Sequence, residues 1–228
     1  MSGRQLALAF PAEPSFAAAD FVSGPATAEA ELWLARWPDW PAGRLVLVGP
    51  EASGKSHLGA IWRERSGAVP VPATALGIAE VPQRLGSARH ALVEDADQAA
   101  GDGVRERALL HLLNLVAEQG GTVLLTARTA PPLWPLTLPD LRSRLVASAV
   151  ATLGAPDEAL LAAVLAKQLA DRQLVCDPAL VRYLAARLPR SFAAIAETAR
   201  RLDAMAVAEG RRVGRAQAAR VLAAVAHE

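Results

Sequence analysis

Eight consecutive residues constrain this chain more than all the others. Gly49-Pro50-Glu51-Ala52-Ser53-Gly54-Lys55-Ser56 fits the pattern G-x-x-x-x-G-K-[ST]. A short apolar run, Leu45-Val46-Leu47-Val48, precedes it, and residues 57–65 after it read as a helix. Strand, glycine-rich turn and helix in that order make a cradle. The glycines let the backbone wrap until its N–H groups point at phosphate oxygens. Lys55 is then placed to neutralise β- and γ-phosphates, and Ser56 to give one oxygen to Mg²⁺. Of 24 basic residues only Lys55 and Lys167 are lysine, so a lysine inside this loop stands out.

The flanking pattern agrees with an α/β fold. Residues 26–37 favour a helix, which Pro38 and Pro41 stop. Residues 69–71 make a strand that prolines weaken, Ala91-Leu92-Val93 a third, residues 122–126 a fourth, and 146–153 contain a fifth. Between them, 104–119 repeats apolar residues at helical spacing through Leu109, Leu112, Leu113 and Val116. Strands alternating with helices predict a parallel sheet covered on both faces. After Gly154 the strands stop. Residues 156–170, 178–188, 191–208 and 214–226 read as helices, with Phe192, Ile195, Ala199 and Leu202 as one apolar stripe. Three parts are expected: an extended arm over 1–15, an α/β nucleotide-binding domain over 16–154, and a small all-helical domain over 155–228.

Composition excludes several classes. At 52% apolar and 21% charged, the chain can bury a core. Its apolar runs fall short of the roughly 18 residues of a membrane span, and the N-terminus has no secretory pattern. No membrane role and a cytoplasmic address are therefore expected. A single cysteine, Cys176, excludes an intramolecular disulfide framework and a cysteine-rich zinc site. The histidines, His57, His90, His111 and His227, have no metal-ligand spacing, and no Ser-His-Asp or Cys-His arrangement is present. Aromatic residues, at 4%, are too few for base-stacking platforms. Net charge is only +1, but residues 181–228 carry nine arginines against four acids, as a solvated helix face or as a surface for phosphate or a partner.

Downstream of the loop, Glu94-Asp95 ends a strand where a phosphate-loop protein needs a carboxylate for Mg²⁺, with Asp97 two residues on. Glutamate stands where aspartate is usual. Thr126 ends the next strand as a candidate γ-phosphate sensor, a role its position alone does not establish. Leu141-Arg142-Ser143-Arg144-Leu145 follows Pro139-Asp140; spacing alone makes this arginine pair a solvated turn.

Phosphate loop, acidic strand end, sensor strand, arginine turn and helical lid, in this order, resemble the AAA+ ATPases. Phe21-Val22-Ser23-Gly24-Pro25 with Ala28-Glu29-Ala30 is similar to the segment that packs on adenine in the replication initiator DnaA. Leu138-Pro139-Asp140-Leu141-Arg142-Ser143-Arg144-Leu145 resembles the DnaA-family arginine-finger turn, with Arg144 as the finger. The resemblance covers about 16–225 and lacks the terminal domains of DnaA. That shape resembles the DnaA-related Hda regulators of replication initiation, in their alphaproteobacterial, HdaA-like form. Gln5-Leu6-Ala7-Leu8-Ala9-Phe10 is similar to the peptide with which such proteins dock on the DNA sliding clamp. An extended peptide there puts Leu8 and Phe10 into an apolar pocket while Gln5 holds the polar rim and Leu6 lies between them.

The resemblance implies ADP or ATP with Mg²⁺ as cofactors. Its nucleotide set is Phe21, Val22, the loop from Gly49 to Ser56, His57, Thr126 and Arg190, with Ser56, Glu94 and Asp95 toward Mg²⁺. It implies DnaA and the β sliding clamp of DNA polymerase III as partners, indirect or weak DNA contact, and possible homo-oligomers. Two departures concern γ-phosphate sensing. The lid arginine falls in strict register on Ala193, with Arg190 as stand-in, and Ala127 replaces an acid before Arg128. Both fit a chain that holds ADP and hydrolyses ATP poorly alone. A DnaC-like helicase loader with its own ATPase activity, and a small phosphate-loop kinase, remain the rival classes.

Overall fold

The computed structural model describes residues 21–209 and 213–225. Five strands form one sheet: β1 (Arg44–Val48), β2 (Val69–Pro72), β3 (Ala91–Glu94), β4 (Val123–Ala127) and β5 (Ala149–Thr152). All pair in parallel, in the order β2-β3-β4-β1-β5. Helices α1 (Ala28–Ala35) and α2 (Lys55–Ser66) cover one face. Helices α3 (Val81–Leu85), α4 (Gly103–Glu118) and α5 (Pro139–Val146) cover the other.

β1 shows why both faces are covered. Leu45 and Leu47 join Trp40, Leu58 and Trp62 on the α2 side, while Val46 and Val48 join Leu109, Leu112 and Leu141 on the α4 side. Side chains alternate along a strand, so a strand apolar at nearly every position needs cover above and below. Gly59 lets α2 lie close, since a Cβ there would stand 3.2 Å from Leu92 Cδ1.

The expected strands are present, with shifted ends. Prolines do not prevent β2, because it lies at the sheet edge, where missing N–H groups are tolerated. Val71 still points inward and is buried. α1 is shorter than the sequence suggests: Gly24 and Thr27 form a turn (Thr27 N–H to Gly24 O, 3.0 Å) that delays its start. α4 starts where Asp102 accepts from the Val104 and Arg105 amides at 2.9 and 3.1 Å. After α4, a Cβ on Gly121 would lie 1.6 Å from the Arg89 carbonyl oxygen, so glycine alone allows the chain to enter β4 there. α3 escaped sequence reading, being short and proline-bearing.

The remaining helices are α6 (Glu158–Asp171), α7 (Pro178–Ala185), α8 (Phe192–Glu209) and α9 (Arg215–Val225). They share an apolar cluster of their own, including Leu161, Leu165, Leu184, Ile195, Leu202 and Val221. Asp157 caps α6 through the Leu160 amide (2.7 Å), and Asp177 caps α7 through that of Ala179 (2.7 Å), with Pro178 in the first turn. Among the described residues no helix is long and apolar enough to cross a membrane.

Candidate functional site

The loop between β1 and α2 sits at the sheet's C-terminal edge. It is anchored on both sides: the Gly49 amide donates to Ala127 O (3.2 Å) and the Leu153 amide to Val48 O (2.7 Å). A Cβ on Gly49 would stand 2.7 Å from the Leu153 carbonyl oxygen, so this position has no room for a side chain. Gly54 caps α2 with φ 97°, in the region glycine favours, and Ala52 holds a left-handed φ of 52°, a strained value for a residue with a Cβ.

Lys55, the first residue of α2, folds back over the loop. Its Nζ donates to the carbonyl oxygens of Gly49 (2.8 Å) and Pro50 (2.6 Å), and it is 7% exposed. Burial lowers its pKa, Asp95 opposes that shift, Arg128 adds to it, and Asp97 and Glu51 oppose it further. Ser53 Oγ is buried in the same loop with no partner among the described residues. An orphaned hydroxyl beside a folded-back ammonium in a glycine-cornered loop suits phosphate oxygens.

Two acids border the loop. Glu94 ends β3, half-buried, and Asp95 follows, exposed, with a left-handed φ of 50°. The Asp95 amide donates to the buried Thr126 Oγ at 3.0 Å, which fixes the β3 and β4 ends together. Asp97 Oδ2 accepts from the Arg128 amide (3.0 Å), and its Oδ1 is buried without a partner among the described residues. The Arg128 guanidinium reaches across to Glu51 in the loop at 3.1 Å. Among the described residues no cluster of three His, Cys, Asp or Glu could hold a metal alone. Exposed Ser56 with Glu94 and Asp95 fits Mg²⁺ in its usual form, one or two carboxylates completed by phosphate oxygens and water.

Aromatic rings stand over the start of α2. Phe21 meets His57 edge to face at 5.3 Å, with half-buried Val22 next to it in the chain. A Cβ on Gly54 would lie 3.7 Å from Phe192 Cε2 and 3.9 Å from Phe21 Cε2. The Phe192 amide donates to Ala52 O at 3.4 Å, so α8 begins against the loop. From sequence Phe192 is legible only as part of the helix stripe. Arg190 is exposed two residues earlier and makes no ion pair among the described residues; Ala193 is exposed in the first turn of α8.

The arginine turn is a full helix, α5. Arg142 is tied down by donating to Leu136 O at 2.6 Å. Arg144 is half-buried in the last turn, with no ion pair among the described residues. Glu106 sets the start of α5. Fully buried on α4, it accepts from the Gly101 amide (2.8 Å), the Thr137 amide (3.0 Å) and hydroxyl (2.7 Å), and the Leu138 amide (2.9 Å). Burial pushes its carboxyl upward, but these donors outweigh that and hold its pKa below the ordinary value. The sequence signal was a glutamate in register with Leu109, Leu113 and Val116 on the apolar face. Gln5, Leu6, Leu8 and Phe10 lie outside the described residues.

Comparison with known proteins supports the architecture. No protein-family model matches the chain, and no curated protein matches it in sequence. Domain III of the replication initiation protein DnaA from Thermotoga maritima superposes with a TM-score of 0.75 at 17% identity, over 95% of this chain and 99% of that one. AMPPCP-bound DnaA from Aquifex aeolicus gives 0.70 at 16% identity, over 87% of this chain and 68% of that one. The Holliday junction branch migration motor RuvB of T. maritima gives 0.67 at 15%, over 87% and 66%. The chain therefore has the AAA+ fold in a DnaA-like form.

Proposed function

We propose that this chain is a DnaA-related regulator of chromosome replication initiation. It binds ADP or ATP through Lys55 and its loop, docks on the β sliding clamp through Gln5, Leu6, Leu8 and Phe10, and presents Arg144 to ATP held by DnaA. In this reading residues 16–154 are the nucleotide-binding domain, 155–228 the lid, and 1–15 the clamp-binding arm. Backbone N–H groups of the loop and Lys55 hold the diphosphate, Ser56, Glu94 and Asp95 face Mg²⁺, and Phe21, Val22 and His57 wall the base. When bound, Mg²⁺ would supply neutralisation of phosphate charge. Support for bound nucleotide comes from the AMPPCP-bound DnaA neighbour and from the orphaned Ser53 hydroxyl.

One observation carries the regulatory part: Arg144 and Lys55 stand at opposite ends of β1. The Ser148 hydroxyl bonds to the Arg144 carbonyl (3.1 Å) and accepts from the Arg44 side chain at the start of β1 (3.3 Å), whereas Lys55 lies beyond the end of β1. Four strand steps, about 13 Å, separate those ends. Arg144 is therefore far from a phosphate held by its own loop, and in this reading it serves another. An arginine delivered in trans stabilises charge on the transferring phosphoryl group, and its fork and permanent charge suit that task. The test is single-turnover loss of ATP from DnaA, with and without this protein and clamp loaded on DNA. Acceleration that needs both supports the reading; ATP turnover by the isolated chain without effect on DnaA favours a helicase-loader type.

A further inference from the structure

Arg44 is the least expected side chain in the sheet. It opens a strand that is otherwise apolar, is 7% exposed, and has one hydrogen-bond partner among the described residues, Ser148 Oγ at 3.3 Å. Ser148 is buried too, and its hydroxyl donates to the Arg144 carbonyl oxygen at 3.1 Å. No carboxylate pairs with Arg44 or Arg144 among the described residues. Burial, and then the charge of Arg144, push the Arg44 guanidinium below its ordinary pKa. Buried cations are normally paired, and a buried guanidinium beside a half-buried one, with no acid among the described residues, is an incomplete arrangement. Its complement is an anion. Guanidinium forks match phosphate oxygens in pairs, and here the Ser148 hydroxyl ties the Arg44 side chain to the backbone carbonyl of Arg144, which brings two such charges to one end of the sheet.

We propose that Arg44 and Arg144 form one two-guanidinium site for a phosphate group, with Arg44 positioning Arg144 through Ser148 and sharing the anion's charge. The identity of the phosphate as a nucleotide held by another protein rests on the reading of Arg144 given above; the site itself does not. Through Ser148, Arg44 then helps fix the Arg144 carbonyl in the last turn of α5, while the Arg144 guanidinium has no ion pair among the described residues.

The test uses the full chain with Lys55→Ala, which removes competition from the phosphate loop, and inorganic tripolyphosphate as probe. Arginine Nε–Hε signals are followed by NMR and melting by calorimetry. The Arg44 and Arg144 signals are expected to move together and saturate, and Arg44→Met or Arg144→Ala to weaken binding at least tenfold. Because methionine removes an uncompensated buried charge, Arg44→Met is expected to raise the melting temperature of the ligand-free chain and to abolish the further rise with tripolyphosphate. A lower melting temperature with unchanged tripolyphosphate affinity overturns the proposal and leaves Arg44 a packing residue. If Arg44→Met does not fold, Arg144→Ala decides: full affinity overturns the site. A second arm replaces the probe by ATP bound to DnaA, where Arg44→Lys and Ser148→Ala are expected to slow stimulated hydrolysis about tenfold with clamp binding unchanged. Tripolyphosphate binding at the pair without stimulation by the unaltered chain keeps the site, assigns it to free phosphate and ends the regulatory reading. Stimulation that Arg44→Met leaves intact, with no tripolyphosphate binding, ends the site and keeps that reading.

Discussion

Two cations stand at the two ends of β1, each 7% exposed, in opposite surroundings. Lys55 donates to two carbonyl oxygens of its own loop and lies in the field of Asp95, Asp97 and Glu51. Arg44 has one hydroxyl and a second arginine. The loop ammonium already has partners, so a phosphate binds there by exchange: Lys55 leaves the carbonyls, Ser53 Oγ gains a partner, and Glu51, paired with Arg128, competes with the incoming charge. Arg44 has no carboxylate partner among the described residues, so a phosphate there displaces none of them. An ammonium on a flexible stem suits the exchange, and a fixed guanidinium fork suits the open site.

The largest effect that breaks this comparison is at the loop. Lys55→Ala removes a hydrogen-bonded charge from a partly dry phosphate site, and nucleotide binding should weaken by about 2–5 kcal/mol. Calorimetric titration with ADP checks this; unchanged affinity would remove the loop from the account. Next is the element that aims α5. Glu106→Ala strands the Gly101, Thr137 and Leu138 amides; these donors are only part-buried, so at the low end of about 1–3 kcal/mol for each the loss should be about 3 kcal/mol or more in urea unfolding. Glu106→Gln should lose less, since one carbonyl oxygen still accepts.

Smaller changes sharpen the contrast. Glu51→Gln removes the acid that competes with phosphate while breaking only an exposed ion pair with Arg128, so stability should shift by less than about 1 kcal/mol and ADP affinity should rise. A fall in ADP affinity would show that Glu51 assists binding. The smallest effect is at His90, at the sheet end that holds Arg44. Its Nδ1 accepts from the Thr122 amide (3.1 Å), which requires a neutral ring, and burial, then Arg89, lower its pKa below the ordinary value. The unfolded chain therefore takes up this proton first as pH falls. The contribution of His90 is present above about pH 6.5 and should decline below it, until the folded ring also protonates. Melting temperature against pH, compared with His90→Gln, isolates that decline.

The loop, the sheet and α4 were legible because their signals are local: a fixed spacing, two-residue alternation, a 3.6-residue stripe. Ranges ended a residue or two away where a turn such as Gly24–Thr27 took the terminal positions. Glu94, Asp95 and Thr126 were legible as strand ends, since parallel order brings such ends to one edge. What stayed hidden depends on partners far along the chain. Arg44 looks like a charge flanking a strand until Ser148 and Arg144 are beside it. Arg128 is a solvated arginine until Glu51 meets it, and Phe192 a core residue until Ala52 receives its amide.

The central claim is that Arg144 acts on a nucleotide other than its own. The direct measurement is single-turnover ATP loss from DnaA in the presence of clamp on DNA, comparing the unaltered chain with Arg144→Ala at matched ADP occupancy. The unaltered chain should accelerate hydrolysis, and Arg144→Ala, folded and carrying nucleotide, should lose the acceleration by a factor of about 10³–10⁵, the range of arginine fingers. Acceleration by Arg144→Ala equal to that of the unaltered chain would contradict the claim.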